Sequence, residues 1–142
     1  MYLLDTNVLS EVLRKRPDAG LLERLGAAPA DALFTSCISV MELRHGAARR
    51  PDHGALWRRI ERDVLPRVQV LGLGVEEALV AGEVQAQLWT TGRPIDVEDV
   101  LIGATALVRR LAVVTNNVSH FSRIPNLLVV NWMGRGGAAF RS

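Results

Sequence analysis

Met1-Tyr2-Leu3-Leu4-Asp5-Thr6-Asn7 opens the chain, an apolar run that stops on a carboxylate. A short buried strand ended by an acid places that charge at the C-terminal edge of a sheet, where open α/β folds bind their ligands. Working outward, short apolar runs alternate with helical periodicity. Strands are expected at 2–4, 33–35, 68–71, 111–115 and 127–130. Helical faces fall between them, at 8–13, 21–25, from Ser39 to near Pro51, and at 54–64, 75–89 and 97–110. Apolar strands separated by helices imply a mostly parallel sheet covered on both faces and joined by right-handed crossovers. The fold class expected is therefore α/β, a three-layer α/β/α domain.

The chain has 142 residues, so one domain with a sizeable core is expected. Hydrophobic residues make up 49 % and charged residues 23 %, which excludes a disordered chain. Residues 1–132 form the expected domain, and the Gly-containing stretch 133–142 reads as a loosely ordered tail. Cys37 is the single cysteine, which rules out an internal disulfide framework and a Cys-based zinc cluster. Its apolar neighbours suggest a buried structural thiol. No basic region precedes the first apolar run and no stretch is long enough to span a bilayer, so a cytoplasmic protein without membrane partners is expected.

Sixteen of the seventeen basic residues are Arg, with Lys15 the single lysine, and the net charge is only +2. Arg suits bidentate phosphate contact. Arg14-Lys15-Arg16, Arg49-Arg50 and Arg58-Arg59-Arg62 could therefore track a nucleic-acid backbone, or equally serve as solvated helix faces.

Three acids stand at the starts of apolar helical segments: Asp5, Glu42 and Asp99. Each has an ordinary explanation as a helix cap. Asp5 would cap the helix after the first strand, and Ser39-x-x-Glu42 fits a capping box. Asp96-x-x-Asp99 is a looser version of the same signal. In a first helical turn the positive end of the helix dipole keeps Glu42 and Asp99 ionised. Clustered at one sheet edge, the three would repel one another unless a divalent cation joined them. Mg²⁺ suits such a set, because it takes a few carboxylates, several waters and a substrate phosphate.

Four stretches carry a family resemblance: residues 4–11 (Leu-Asp-Thr-Asn-Val-Leu-Ser-Glu), 39–46 (Ser-Val-Met-Glu-Leu-Arg-His-Gly), 99–106 (Asp-Val-Leu-Ile-Gly-Ala-Thr-Ala) and 114–121 (Val-Thr-Asn-Asn-Val-Ser-His-Phe). Asn131-Trp132 fits as well. In this order they resemble the PIN-domain ribonucleases, specifically the VapC toxins of bacterial toxin–antitoxin pairs and their FitB-like branch. The resemblance implies that Asp5, Glu42 and Asp99 are catalytic, metal-binding acids for Mg²⁺, with Mn²⁺ as a substitute. Relatives often carry a fourth acid in a Thr-x-Asp pattern, and here that position holds Asn117. Asp96 could partly compensate, or simply cap the following helix. Thr6, Asn7 and Thr115 would support the ligands. His45 and His120 are given no general-base role: His45 is expected to meet RNA or solvent, His120 lies in a turn, and His53 reads as a loop residue.

The activity implied is metal-dependent hydrolysis of structured RNA, transfer RNA or ribosomal RNA, as the toxin of a type II pair. Also implied are a VapB-like antitoxin, a homodimer, a toxin–antitoxin hetero-oligomer, and promoter DNA bound only through the antitoxin. One rival is phosphoryl transfer through an aspartyl intermediate at Asp5. It lacks its second acid, because Asn7 stands there, and its lysine, because Lys15 lies in a basic run. The other alternative is a non-catalytic or weakly catalytic RNA- or protein-binding module, with Asn117 as its best support.

Overall fold

The computed structural model describes residues 1–134 and the backbone of residues 138–141. Strands β1 (Tyr2–Leu4), β2 (Leu33–Ser36), β3 (Gln69–Leu71), β4 (Ala112–Val114) and β5 (Leu128–Asn131) pair in parallel. A sixth, β6 (Ala138–Arg141), pairs antiparallel with β5. The order is β3-β2-β1-β4-β5-β6. The chain thus winds from β1 to one side, then crosses back past β1 to the other. The gap between β1 and β4 is the topological switch point, and its C-terminal edge is the expected ligand crevice.

Alternation along the strands explains the two cores, because successive side chains point to opposite faces. Leu3, Val113 and Val129 face helices α5 (Val75–Thr90), α6 (Val97–Arg109) and α7 (Val118–Phe121), meeting Val84, Leu88, Ile102 and Phe121. Leu4, Leu33 and Val114 face α1 (Thr6–Val12), α2 (Ala19–Ala27), α3 (Cys37–Ala48) and α4 (Ala55–Asp63), meeting Val8, Leu21, Leu43 and Ile60. The three-layer α/β/α reading is borne out. The strands read as uniformly apolar because both faces are buried. Among the described residues no helix is long and apolar enough to cross a membrane.

Two local expectations change. The third helix begins at Cys37 with Ser36 as its cap, the Ser36 hydroxyl accepting from the Ile38 amide. Ser39 lies inside the helix, fully buried, so the Ser39–Glu42 capping box does not form. Cys37 is free and half-buried instead of enclosed. The tail expected from residue 133 falls partly on residues 135–137 and 142, outside the described residues. Just ahead of those residues, Gly134 donates its amide to Asp18, and Arg24 donates to the Trp132 carbonyl.

Leu3 is fully buried between β2 and β4 at the centre of the sheet. Leu3→Ala is expected to lower unfolding stability by about 2–5 kcal/mol, the usual range for a buried leucine. Urea denaturation followed by circular dichroism measures it, and a loss under about 1 kcal/mol would refute this central placement.

Candidate active site

Asp5 follows β1 directly, and its backbone amide donates to the Val114 carbonyl of β4, so the residue sits at the switch point. It is 4 % exposed, and its carboxylate does two jobs at once. Oδ1 accepts from the Thr6 amide at 2.7 Å, capping α1, and Oδ2 accepts from the Thr115 hydroxyl at 2.8 Å. The capping reading and the site reading of Asp5 therefore describe one side chain.

Asp5, Glu42, Asp99 and Asn117 line one cleft of about 430 Å³, together with Thr6 and Asn7. Glu42 reaches it from the second turn of α3 instead of the first, and its Oε1 accepts from the Thr6 hydroxyl at 2.7 Å. Buried Ser39 stands 2.9 Å from the same hydroxyl, which explains a serine inside that helix. Asp99 reaches the cleft from the first turn of α6, as expected. Asn117 stands at the N-cap of the short α7, and its backbone amide donates to the Thr115 hydroxyl oxygen. Asn7 Oδ1 accepts from the Asn116 amide, tying α1 to the turn after β4. Asp96 is the residue at the N-cap of α6 but is exposed, makes no side-chain cap bond and does not line the cleft.

Three groups in or beside the cleft are missed by sequence reasoning. Glu11 lines it, with Oε1 accepting from the Asp18 amide and Oε2 paired to Arg14 at 3.2 Å. Its position four residues after Asn7 on α1, which puts both on one helix face, is the signal that could have found it. Ser10 lines the cleft beside it. His120 stands with Nδ1 at 3.0 Å from Asp99 Oδ2 and at 2.9 Å from Asn117 Nδ2. One ring nitrogen either donates to Asp99 or accepts from Asn117. A carboxylate only accepts, so Nδ1 is the donor to Asp99 and cannot accept from Asn117 at the same time. A hydrogen-bonded chain thus runs from Asp5 through Thr115 to the Asn117 amide, and beside it His120 bonds Asp99. His45 is exposed on α3 and takes no part.

Burial pushes the Asp5 carboxyl up to about 6, against the lowering effect of the Thr115 and Thr6 hydrogen bonds. The negative charges of Asp99 and Glu42 push it further in the same direction. The buried anion has acids and hydroxyls around it and, among the described residues, no cation paired to it, an arrangement that a divalent ion would relieve. Among the described residues no group of three or more His, Cys, Asp and Glu side chains is set closely enough to hold a metal ion as they stand. The donor chemistry nevertheless fits Mg²⁺, which keeps several waters and needs only one or two direct carboxylates.

These features define a class of protein: a doubly wound α/β domain with acids gathered at its switch point. The family model for the PIN domain matches residues 2–127. VapC ribonuclease Y4jK of Sinorhizobium fredii is 34 % identical over 126 residues, covering 85 % of this chain and 90 % of the relative. The tRNA(fMet)-specific endonuclease VapC of Salmonella typhimurium is 29 % identical, covering 92 % of this chain and 97 % of the relative. Among solved structures, VapBC2 from Rickettsia felis bound to a promoter DNA fragment superposes with a TM-score of 0.85 at 27 % identity, covering 92 % of this chain and 98 % of that one. The chain belongs to the PIN-domain family, in its VapC-type branch.

The raised Asp5 value gives stability a definite pH dependence. Because the folded group binds its proton more tightly than the unfolded one, its contribution to stability is full below pH 3.8 and is lost as pH rises through about 6. Metal-free wild type should lose stability relative to Asp5→Asn between about pH 4 and pH 7, by on the order of 3 kcal/mol at most. Paired urea melts across that range measure the difference, and parallel curves would refute the buried, unpaired anion.

Proposed function

We propose that the chain is a metal-dependent endoribonuclease acting as the toxin of a type II toxin–antitoxin pair. The observation that carries this reading is the meeting of Asp5, Glu42 and Asp99, far apart in sequence, in one cleft at the sheet's switch point. Relatives named ribonuclease or endonuclease, matched over 90 % and 97 % of their own length, support it.

Asp5, Glu42 and Asp99 would hold the cation, with Mg²⁺ the natural choice and Mn²⁺ a substitute. When bound, such an ion lowers the pKa of water and neutralises charge on a phosphodiester. The chain's own contribution is orientation. Thr115 and Thr6 hold the two oxygens of Asp5, Thr6 holds Glu42, and His120 holds Asp99. Asn117 offers an amide in place of a fourth carboxylate, so it adds a dipole and no charge. No side chain need act as nucleophile. Attack by water in line with the leaving 3′ oxygen breaks the P–O3′ bond, leaving a 5′-phosphate and a 3′-hydroxyl.

The substrate class is structured RNA, transfer RNA or ribosomal RNA, which proteins read through shape and unpaired bases. A VapB-like antitoxin would cover the site, and promoter DNA would be met through that antitoxin. The chain would work in the cytoplasm, as a homodimer and within a toxin–antitoxin hetero-oligomer. Solved relatives that are VapBC or FitAB complexes support this assembly. A second reading, a weakly catalytic or non-catalytic RNA- or protein-binding module, is favoured by Asn117 and by the spacing of the acids as they stand.

Antitoxin-free protein incubated with total cellular RNA should yield discrete fragments with Mg²⁺ or Mn²⁺ and none with chelator. Asp99→Asn should reduce the rate by more than about 100-fold, since losing even an outer partner of a metal ligand costs about 10- to 100-fold. Absence of cleavage by folded protein with either metal would overturn the enzyme reading, and 2′,3′-cyclic phosphate ends would overturn the water mechanism. His120→Ala should weaken Mn²⁺ binding about 10-fold by calorimetry while leaving the melting curve of the metal-free protein in place. Unchanged affinity would remove His120 from the support of Asp99.

A further inference from the structure

The basic runs that the sequence left undecided are separate in the chain, but one member or more of each reaches a single place. A second cleft of about 460 Å³ adjoins the acidic one and shares Thr6, Ser10, Arg14 and Glu42 with it. Among the described residues its walls carry four cations: Arg14 and Lys15 just after α1, Arg50 just after α3, and Arg59 on α4. Its floor is aliphatic, formed by Leu43, Ala47, Leu56 and Ile60. Among the described residues that line it, Glu42, on the boundary, is the only carboxylate.

Each arginine has an acidic neighbour, but each of those acids is already committed elsewhere. Asp63 takes two hydrogen bonds from Arg62, at 2.9 and 3.0 Å, and lies 3.8 Å from Arg59. Asp52 accepts from the Gly54 and Leu56 amides and lies 3.6 Å from Arg50. Glu11 accepts from the Asp18 amide as well as from Arg14. Exposed pairs of this kind hold their cations with little energy. The arginines are therefore available to an incoming polyanion, and an aliphatic floor between them suits ribose and base better than bulk water.

We propose that this basic cleft is the substrate track of the acidic site, binding the RNA backbone on one side of the phosphodiester to be cut. The proposal rests on the ribonuclease reading. It divides the labour between the two clefts: carboxylates act at the scissile phosphate, and Arg14, Lys15, Arg50 and Arg59 hold neighbouring phosphates. Such contacts fix register without reading base sequence. Arg suits the task because its fork spans two phosphate oxygens.

The test uses the full chain and unfractionated transfer RNA as probe. Binding is followed by fluorescence anisotropy against salt in the Asp99→Asn background, and cleavage is followed in the otherwise wild-type chain. Arg50→Ala with Arg59→Ala should weaken binding by about 10-fold or more at low salt. The slope of log affinity against log salt should fall by about 0.7–0.9 for each phosphate that is no longer neutralised. Arg50→Lys with Arg59→Lys should recover most of the slope. Arg67→Ala, which removes an exposed cation just before β3 at the other end of the strands, should change neither. In the cleavage arm the double alanine variant should raise KM more than it lowers kcat, with metal affinity intact. Cleavage by the parent with unchanged KM and salt slope in the double variant would overturn the track and leave the nuclease standing. A parent that neither binds nor cuts RNA overturns both.

Discussion

One buried carboxylate organises this molecule. Asp5 sits at the end of the central strand, where β1 turns into α1, with its two oxygens committed to the Thr6 amide and the Thr115 hydroxyl. Those bonds join β1, α1 and the end of β4 at the point where the sheet changes direction. Burial makes the ionised form costly and the nearby acids make it costlier. Stability is given up locally at the position proposed to hold a cation. Such local conflict is typical of functional positions in otherwise consistent folds.

The rest of the structure supports that position from two sides. Leu3 and Leu4, adjacent in sequence, feed opposite cores, so the strand carrying Asp5 is clamped between helices on both faces. Phe121 is fully buried in the first core, next in sequence to His120, and anchors the short helix that brings the imidazole to Asp99. On the other face α1 and α3 meet through Thr6, Ser39 and Glu42, three polar side chains that would be poor core residues separately and satisfy one another together.

Legibility in the sequence tracks how local each signal is. Asp5 and Asp99 can be placed from their own neighbourhoods, one at a strand end and the other in a first helical turn. Glu42 enters the site through family resemblance, while its local reading as a capping residue fails. Ser36, the last residue of β2, is the stronger cap because it stands where the strand ends and the helix begins. Asp96 has a good local signal for a cap or a ligand, yet its side chain makes no cap bond and stands outside the lining of the cleft. Nothing in the sequence pattern announces β6, because Gly-containing segments with few β-branched residues carry little strand signal.

Sequence alone determined the alternation of short apolar strands and helices, hence the covered parallel sheet, because burial on both faces writes itself as continuous apolar runs. It also determined which residue types could serve a cation. Only the tertiary structure decided which of them meet. The strand order brings the ends of β1 and β4 together, and the packing of α1 against α3 sets Thr6 beside Glu42. The turn after β4 puts His120 on Asp99, and the helix ends gather Arg14, Lys15, Arg50 and Arg59 around one cleft. Periodicity reports which face of an element is buried. Contacts between side chains far apart in the chain depend on the relative placement of whole elements, which no local pattern encodes.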